Sequence, residues 1–231
     1  MRLNPDSFKK GIKWAAPIIL GYVPIALAYG LLAQQAGLSV RFTAAMSMFV
    51  YAGASQFIAV SMLMSGYAPA AVIGTAGAVN FRHVLMSASL SQSAAKWNTP
   101  MRILFGSMLT DESFALHSIH FADNDTDYAA AVTVNAAAYI AWCAFGVLGH
   151  RLGALIERPE VWGLDFALPA MFIGLLVMSC RNMSAAAAAL TGGVISVALY
   201  LAGFGLWAAF IGAIAGAAAG TIVNGDVANE G

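Results

Sequence analysis

Charged residues are scarce in this sequence. Lys, Arg, Asp and Glu make up 10% of its 231 residues, whereas a soluble domain carries about 25%. So few charges could not cover the surface of a soluble protein, and 60% of the chain is hydrophobic. Several apolar runs approach the roughly 20 residues that cross a bilayer core, and they lack the alternation of barrel strands. The composition therefore predicts a helical membrane protein.

The absence of net charge and the small number of cysteines exclude further classes of function. The formal net charge is zero, so there is no basic field that would attract nucleic acid and no acidic tail. The two cysteines, Cys143 and Cys180, lie in apolar segments, and neither has a His or Cys at ligand spacing. We therefore expect no structural disulfide, no metal site and no cofactor.

The apolar segments predict an all-α polytopic bundle that forms one membrane domain over residues 1–231. The basic residues of 1–13 indicate a cytoplasmic tail by the positive-inside rule. The acidic loop 123–127 suits the outside, and the loop 150–165 suits the cytoplasm. We expect seven or eight segments, at about 14–33, 43–65, 68–91, 103–121, 129–149, 166–180, 185–201 and 204–223.

The first half of the chain contains signals of a discontinuous helix. Pro17 and Pro24 each remove a backbone donor, which predicts a kinked or broken first segment. With a cytoplasmic N-terminus, three full crossings would put Lys96 and Arg102 outside, against the charge rule. At least one broken or re-entrant helix in this half would resolve the conflict, and such segments often mark a transporter's binding site.

Three polar islands interrupt the apolar segments, at 51–57, 79–83 and 109–114. A charge near the bilayer centre costs roughly 2.5–3.5 kcal/mol, so it usually has a partner and a use. Gly53 lets the backbone leave helical geometry, and Arg82 requires a carboxylate, a helix C-terminus or water. The candidate substrate-binding or coupling residues are Tyr51, Gly53, Ser55, Gln56, Asn80, Arg82, His83, Asp111 and Glu112.

The two neighbouring carboxylates, Asp111 and Glu112, point about 100° apart on a helix. One can pair with Arg82 while the other stays available for a proton or a substrate amine. His83 titrates near neutral pH and could relay a proton. The alternatives are that Arg82 snorkels to an interface, or that the ion pair is purely structural.

Two further patterns have simpler interpretations. His117 and His120 are three residues apart but lack a nearby third ligand, so we interpret them as interface histidines. Gly212, Gly216 and Gly220 give the last segment a smooth face that allows close backbone approach. That face suits either internal packing or another subunit.

The islands resemble the motifs of the AzlC-type branched-chain amino acid exporter family, also called LIV-E. The resemblance implies export of valine, leucine and isoleucine across the bacterial inner membrane, without enzymatic activity, and a small AzlD-type membrane partner. Alternating access coupled to protons would suit such a transporter. The matching stretches are YAGASQF (51–57), RHVLMSASL (82–90), LTDESFA (109–115), APIILGYVPIALAYG (16–30) and LPAMFIG (168–174).

Three alternatives remain open. Gly53-Ala54-Ser55-Gln56 and Gly149-His150-Arg151-Leu152-Gly153 have the shapes of a rhomboid-type intramembrane serine protease. Such short patterns arise easily in chains rich in Gly and Ala. A channel would instead need rings of similar pore-lining residues. The chain could also be a structural subunit of a transport complex.

Overall fold

A computed structural model describes residues 5–155, 182–205 and 207–229, together with Ile173, Leu176, Val177 and Cys180. Every regular element in this part of the chain is a helix. The chain divides into two compact units, Met1–Ala167 and Leu168–Gly231. Most of predicted segment six and of the LPAMFIG stretch lies outside the described residues. The helices are α1 Pro5–Gln35, α2 Val40–Phe49, α3 Gly53–Met64, α4 Pro69–Leu90, α5 Thr99–Ser107, α6 Asp111–Ala122, α7 Tyr128–Gly153, α8 Met183–Leu201 and α9 Trp207–Asn229.

Three of the described helices, α1, α7 and α8, are long and apolar enough to cross a membrane. The helix α8 buries none of its residues, and it exposes large apolar side chains such as Leu190 and Val194. Exposed apolar side chains on a long helix suit a lipid environment. The helical class and the membrane location are therefore confirmed, while the number of seven or eight segments stays a prediction.

The longest helix, α1, packs along α7 with the two helices parallel. A Cβ added to Gly11 would lie 2.6 Å from Thr133, near the start of α7. A Cβ added to Gly30 would overlap the carbonyl of Gly146, near the end of α7. Residues early in α1 thus contact residues early in α7, and residues late in α1 contact residues late in α7. The two helices therefore start at the same end of this unit.

Of the predicted kinked or broken first segment, the break was wrong, while the kink stays a prediction. The helix α1 begins at Pro5 and continues through Pro17 and Pro24 to Gln35. Much of the predicted basic tail is thus helical as well. Packing offsets the cost of two missing backbone donors, because Ala15 and Ala26 on the same helix are completely buried.

Two other segments are interrupted instead. Segment two is divided into α2 and α3, and segment four is divided into α5 and α6. At the first interruption Tyr51 has a φ of 41°, in the left-handed region that ends a right-handed helix. At the second, Thr110 has extended backbone angles and caps α6. The second interruption was not predicted.

The first interrupted pair, α2 and α3, doubles back on itself. The Tyr29 hydroxyl, late in α1, donates to the Thr43 carbonyl at 3.3 Å. The ring of Tyr51 then lies 4.8 Å from that of Tyr139, in the middle of α7. Beyond the interruption the ring of Phe57 returns to Tyr29, at 5.9 Å. We call this pair the first hairpin, with its tip at Tyr51.

The second interrupted pair, α5 and α6, doubles back from the other end. Trp97, just before α5, packs at 5.0 Å on Tyr128, the first residue of α7. Thr110 lies beside Tyr22 in the middle of α1, with 2.7 Å between the hydroxyl oxygens. Phe121, late in α6, then packs on Trp97 at 5.7 Å. We call this pair the second hairpin, with its tip at Thr110.

The helix ends correct the predicted sidedness of two loops. The Lys10 ammonium lies 2.6 Å from the Asp125 carboxylate, so the start of α1 and the loop 123–127 share one end. They cannot lie on opposite sides of a membrane, as the charge pattern predicted. The helix α7 carries the chain to the other end, where Gly153 packs on Leu31. Hence, if α7 crosses the membrane, the tail and residues 150–155 lie on opposite sides of it, and they cannot both be cytoplasmic.

The second unit is held together by the predicted glycine face. Gly212, Gly216 and Gly220 all face α8, and a Cβ on Gly216 would lie 2.5 Å from the Ala188 carbonyl oxygen. The Ser184 hydroxyl donates to the Gly220 carbonyl at 2.5 Å. The three glycines therefore serve the contact between α8 and α9, which favours the interpretation of internal packing.

Candidate functional site

The two hairpin tips meet at aromatic residues of α1 and α7. The Tyr22 ring packs edge-on against Trp142 at 5.2 Å, and Tyr22 also contacts Thr110 at the second tip. A Cβ on Gly53 at the first tip would lie 2.8 Å from the Trp142 ring. Tyr51 lies close enough to Tyr22 for the two side chains to interact electrostatically. The structure thus gathers the first and third polar islands in one place.

The second island joins this site through an ion pair. Arg82 Nη2 of α4 lies 2.8 Å from Asp111 Oδ2 at the start of α6. Both side chains are about one-third exposed, at 34% and 32%. Arg82 Nε is buried without a hydrogen-bond partner in the described part of the chain. His83 is half-buried next to this pair.

The other carboxylate has a different partner. The Tyr22 hydroxyl donates to Glu112 Oε2 at 2.8 Å. Because a tyrosine has one hydroxyl hydrogen, the 2.7 Å contact between Tyr22 and Thr110 requires Thr110 to act as donor there. Glu112 therefore accepts a hydrogen bond from a neutral hydroxyl, whereas Asp111 faces a cation.

The two helices that begin at the tips are capped differently. Thr110 and Ser113 form a reciprocal capping box at the start of α6. The N-cap residue of α3 is Ala52, whose side chain has no acceptor to offer the first amides of the helix. The start of α3 near Gly53 consequently keeps backbone donors that its own cap cannot satisfy.

The remaining polar residues of the first tip are hydrogen-bonded within the protein. Ser55 is completely buried, and its hydroxyl lies 2.9 Å from Asn80 Oδ1. Gln56 is also completely buried; its amide donates to Ser47 at 3.3 Å and its carbonyl oxygen accepts from Trp142 Nε1 at 2.9 Å. These contacts hold Trp142 in position beside Gly53.

The two residues that suggested a serine protease have separate partners. The Ser55 hydroxyl is directed to Asn80 and to the Ala52 carbonyl, at 2.9 and 3.0 Å. His150 Nδ1 lies 3.0 Å from the Thr43 hydroxyl. No hydrogen bond joins Ser55 to His150 in the described structure, so the two do not form a Ser-His dyad.

Sequence reasoning missed Tyr22, Trp142 and Asn135. Each is a single polar or aromatic residue in an apolar helix, a pattern that more often indicates core packing than a site. The one available signal for Tyr22 was its position between two prolines. Asn135 is completely buried between His117 Nε2, at 2.8 Å, and the Phe105 carbonyl, at 3.1 Å.

The predicted interface histidines pack within the first unit. His117 lies in an aromatic cluster with its ring 4.9 Å from Phe105. His120 stacks on Trp14 at 3.6 Å, and Lys10 lies 4.7 Å from the same indole ring. Among the residues that the structure describes, no group of three His, Cys, Asp or Glu side chains could hold a metal ion.

Comparison with known proteins gives a family match over most of the first unit. The family described as AzlC protein matches residues 17–156. A membrane protein of Archaeoglobus fulgidus is 31% identical, over 94% of this chain and 94% of that protein. The inner membrane protein YgaZ of Escherichia coli is 31% identical, over 84% and 82%. The branched-chain amino acid transport protein AzlC of Bacillus subtilis is 25% identical, over 83% and 75%. No solved structure matches.

Proposed function

Because the chain belongs to the AzlC family, we propose that it transports branched-chain amino acids and exports valine, leucine and isoleucine across the bacterial inner membrane. The family includes a branched-chain amino acid transport protein of Bacillus subtilis. The observation that carries the proposal is the meeting of two hairpin tips beside Tyr22 and Trp142. Interrupted helices that meet inside a bundle are typical of transporter binding sites.

In this proposal both hairpins are re-entrant and enter the membrane from opposite sides. The first hairpin begins at the end of the bundle where Gly153 lies, and the second begins at the end where Tyr128 lies. Non-helical backbone at membrane depth is tolerated only where it is buried or lines a cavity. Alternating access would then open the site past one hairpin or past the other.

The substrate is a zwitterion, so its site must provide donors for a carboxylate and an acceptor for an ammonium group. Arg82 is occupied by Asp111, at 2.8 Å. We therefore assign the substrate carboxylate to the uncapped amides at the start of α3, near Gly53. A helix N-terminus carries a partial positive charge and free N–H groups, both of which suit a carboxylate.

Three further parts of the proposal concern coupling and assembly. A proton is the coupling ion, because His83 lies next to the Arg82–Asp111 ion pair and an imidazole can take up and release a proton near neutral pH. The N-terminus is cytoplasmic, which places Lys96 inside and Arg151 outside. A small AzlD-type membrane partner completes the transporter.

Counterflow in proteoliposomes tests the proposal. Purified protein should exchange internal unlabelled leucine for external labelled leucine, and valine and isoleucine should compete, whereas lysine should not. Absence of counterflow by this chain alone and in the presence of the co-purified partner would refute transport by the complex. Counterflow that appears only with the partner, and that survives changes at both tips, would make this chain a structural subunit.

A further inference from the structure

We propose that Glu112, Tyr22 and Tyr51 bind the ammonium group of the transported amino acid, while Asp111 serves as the fixed counter-ion of Arg82. This assignment rests on the proposed transport function and gives the two neighbouring carboxylates separate roles.

The charge of Glu112 is not balanced by a cation in the described part of the chain. Ion pairs there join Lys10 to Asp125 and Arg82 to Asp111, and neither includes Glu112. Glu112 instead accepts a hydrogen bond from Tyr22, a residue that is only 4% exposed. A carboxylate among buried side chains of a membrane protein normally has a charged partner. A substrate ammonium group would supply that partner.

Tyr51 provides the second, independent observation. Its side chain is 6% exposed, and no hydrogen bond of good geometry reaches its hydroxyl from the described residues, although the Tyr22 side chain lies close to it. Glu112 lies close enough to act on this hydroxyl electrostatically. Tyr51 also has a φ of 41°, which is strained for a residue with a large side chain. A buried hydroxyl costs free energy until a ligand or water bonds it.

The chemistry of these groups fits a primary ammonium ion. An ammonium group has three N–H donors, and the site offers acceptors on Glu112, Tyr51 and Tyr22. The indole of Trp142, which packs on Tyr22 at 5.2 Å, adds an electron-rich aromatic surface beside them. The uncapped start of α3 follows Tyr51 by two residues, so carboxylate and ammonium would be held at neighbouring points.

Direct binding to the purified protein tests the assignment with two probes that each lack one charge of leucine. Isoamylamine has the amine and no carboxylate, and 4-methylpentanoate has the carboxylate and no amine. We expect Glu112→Gln to weaken the binding of leucine and of isoamylamine at least tenfold and to leave 4-methylpentanoate unchanged. Tyr51→Phe and Tyr22→Phe should weaken the binding of isoamylamine three- to tenfold. Tyr67→Phe is the matched control, because Tyr67 is exposed in the turn after α3.

Several results would overturn the assignment while leaving transport intact. The assignment fails if Glu112→Gln binds isoamylamine as strongly as the wild type does. It also fails if that variant binds leucine, isoamylamine and 4-methylpentanoate all equally more weakly. If NaCl displaces isoamylamine but not leucine, the site at Glu112 binds an inorganic cation and not the amine of leucine. If wild-type protein binds isoamylamine through Glu112 but binds no branched-chain amino acid, the cation site stands and the proposed substrate fails. A thermal melt of each variant separates loss of binding from loss of folding.

Discussion

Arg82 of α4 and Asp111 of α6 form an ion pair, with 2.8 Å between Nη2 and Oδ2. Asp111 is the first residue after the tip of the second hairpin, so the pair ties that tip to α4. Asn80, two residues before Arg82, contacts Ser55 of the first hairpin at 2.9 Å. One short stretch of α4 therefore contacts both hairpins, and a movement of α4 would reach both tips.

We expect Arg82→Ala and Asp111→Asn each to abolish saturable export. Each change removes one member of the ion pair and leaves the charge of the other unpaired near the tips. Both side chains are about one-third exposed, so the cost to stability should be about 1–3 kcal/mol, below that of a fully buried pair. Counterflow and thermal unfolding measure the two effects. The exchanged pair Arg82→Asp with Asp111→Arg should recover part of the transport. Wild-type transport by both single variants would show that the pair is dispensable.

The contact between α1 and α7 predicts a strong difference between two glycines of α1. A Cβ on Gly30 would overlap the Gly146 carbonyl, whereas a Cβ on Gly21 would meet nothing within 4 Å. Gly30→Ala should therefore lower the free energy of unfolding by about 1–3 kcal/mol, as overpacking does. Gly21→Ala should leave it unchanged or raise it by up to about 1 kcal/mol. Thermal unfolding in one detergent compares them, and equal stabilities would contradict the close contact.

The sequence predicted an ion pair for Arg82 better than it predicted the path of the chain around that pair. An unpaired charge in an apolar segment costs free energy, so Arg82 is expected to pair with one of the two carboxylates, and the structure contains such a pair. The sequence could not predict whether Asp111 or Glu112 pairs with Arg82, because this depends on the residue at which α6 begins. That start is set by Thr110, whose capping box with Ser113 lacks the usual Glu or Gln.

Tertiary packing explains the two errors about the path. Pro17 and Pro24 predicted a kink or a break, but contacts with α7 along α1 keep that helix continuous. The acidic loop indicated the side opposite the basic tail, yet Lys10 and Asp125 attract each other across that end of the bundle. Two loops of opposite charge can lie on the same side of the membrane or on opposite sides. Counting their charged residues does not distinguish the two arrangements.

The hairpins predict a specific pattern of cysteine labelling in a background with Cys143→Ala and Cys180→Ala. If both hairpins are re-entrant, Lys96→Cys and Asn124→Cys lie on one side and Tyr67→Cys lies on the other. With a cytoplasmic N-terminus, a membrane-impermeant maleimide should label only Tyr67→Cys in intact cells, and all three after permeabilisation. Two full crossings would instead put position 67 on the side of position 124 and position 96 on the opposite side. That pattern would show that the hairpins are not re-entrant.

Asn135 should be a structural requirement of the second hairpin. Its amide donates to the Phe105 carbonyl at 3.1 Å, so its oxygen accepts from His117 Nε2 at 2.8 Å. It thereby joins both arms of the hairpin to α7. Asn135→Leu leaves these buried groups without that partner and should cost about 1–3 kcal/mol. Thr133→Val, on the same helix, removes one hydroxyl that bonds only its own helix, at 2.7 Å to the Ala129 carbonyl. Thermal unfolding compares the two, and an equal loss in both would show that Asn135 does not brace the hairpin.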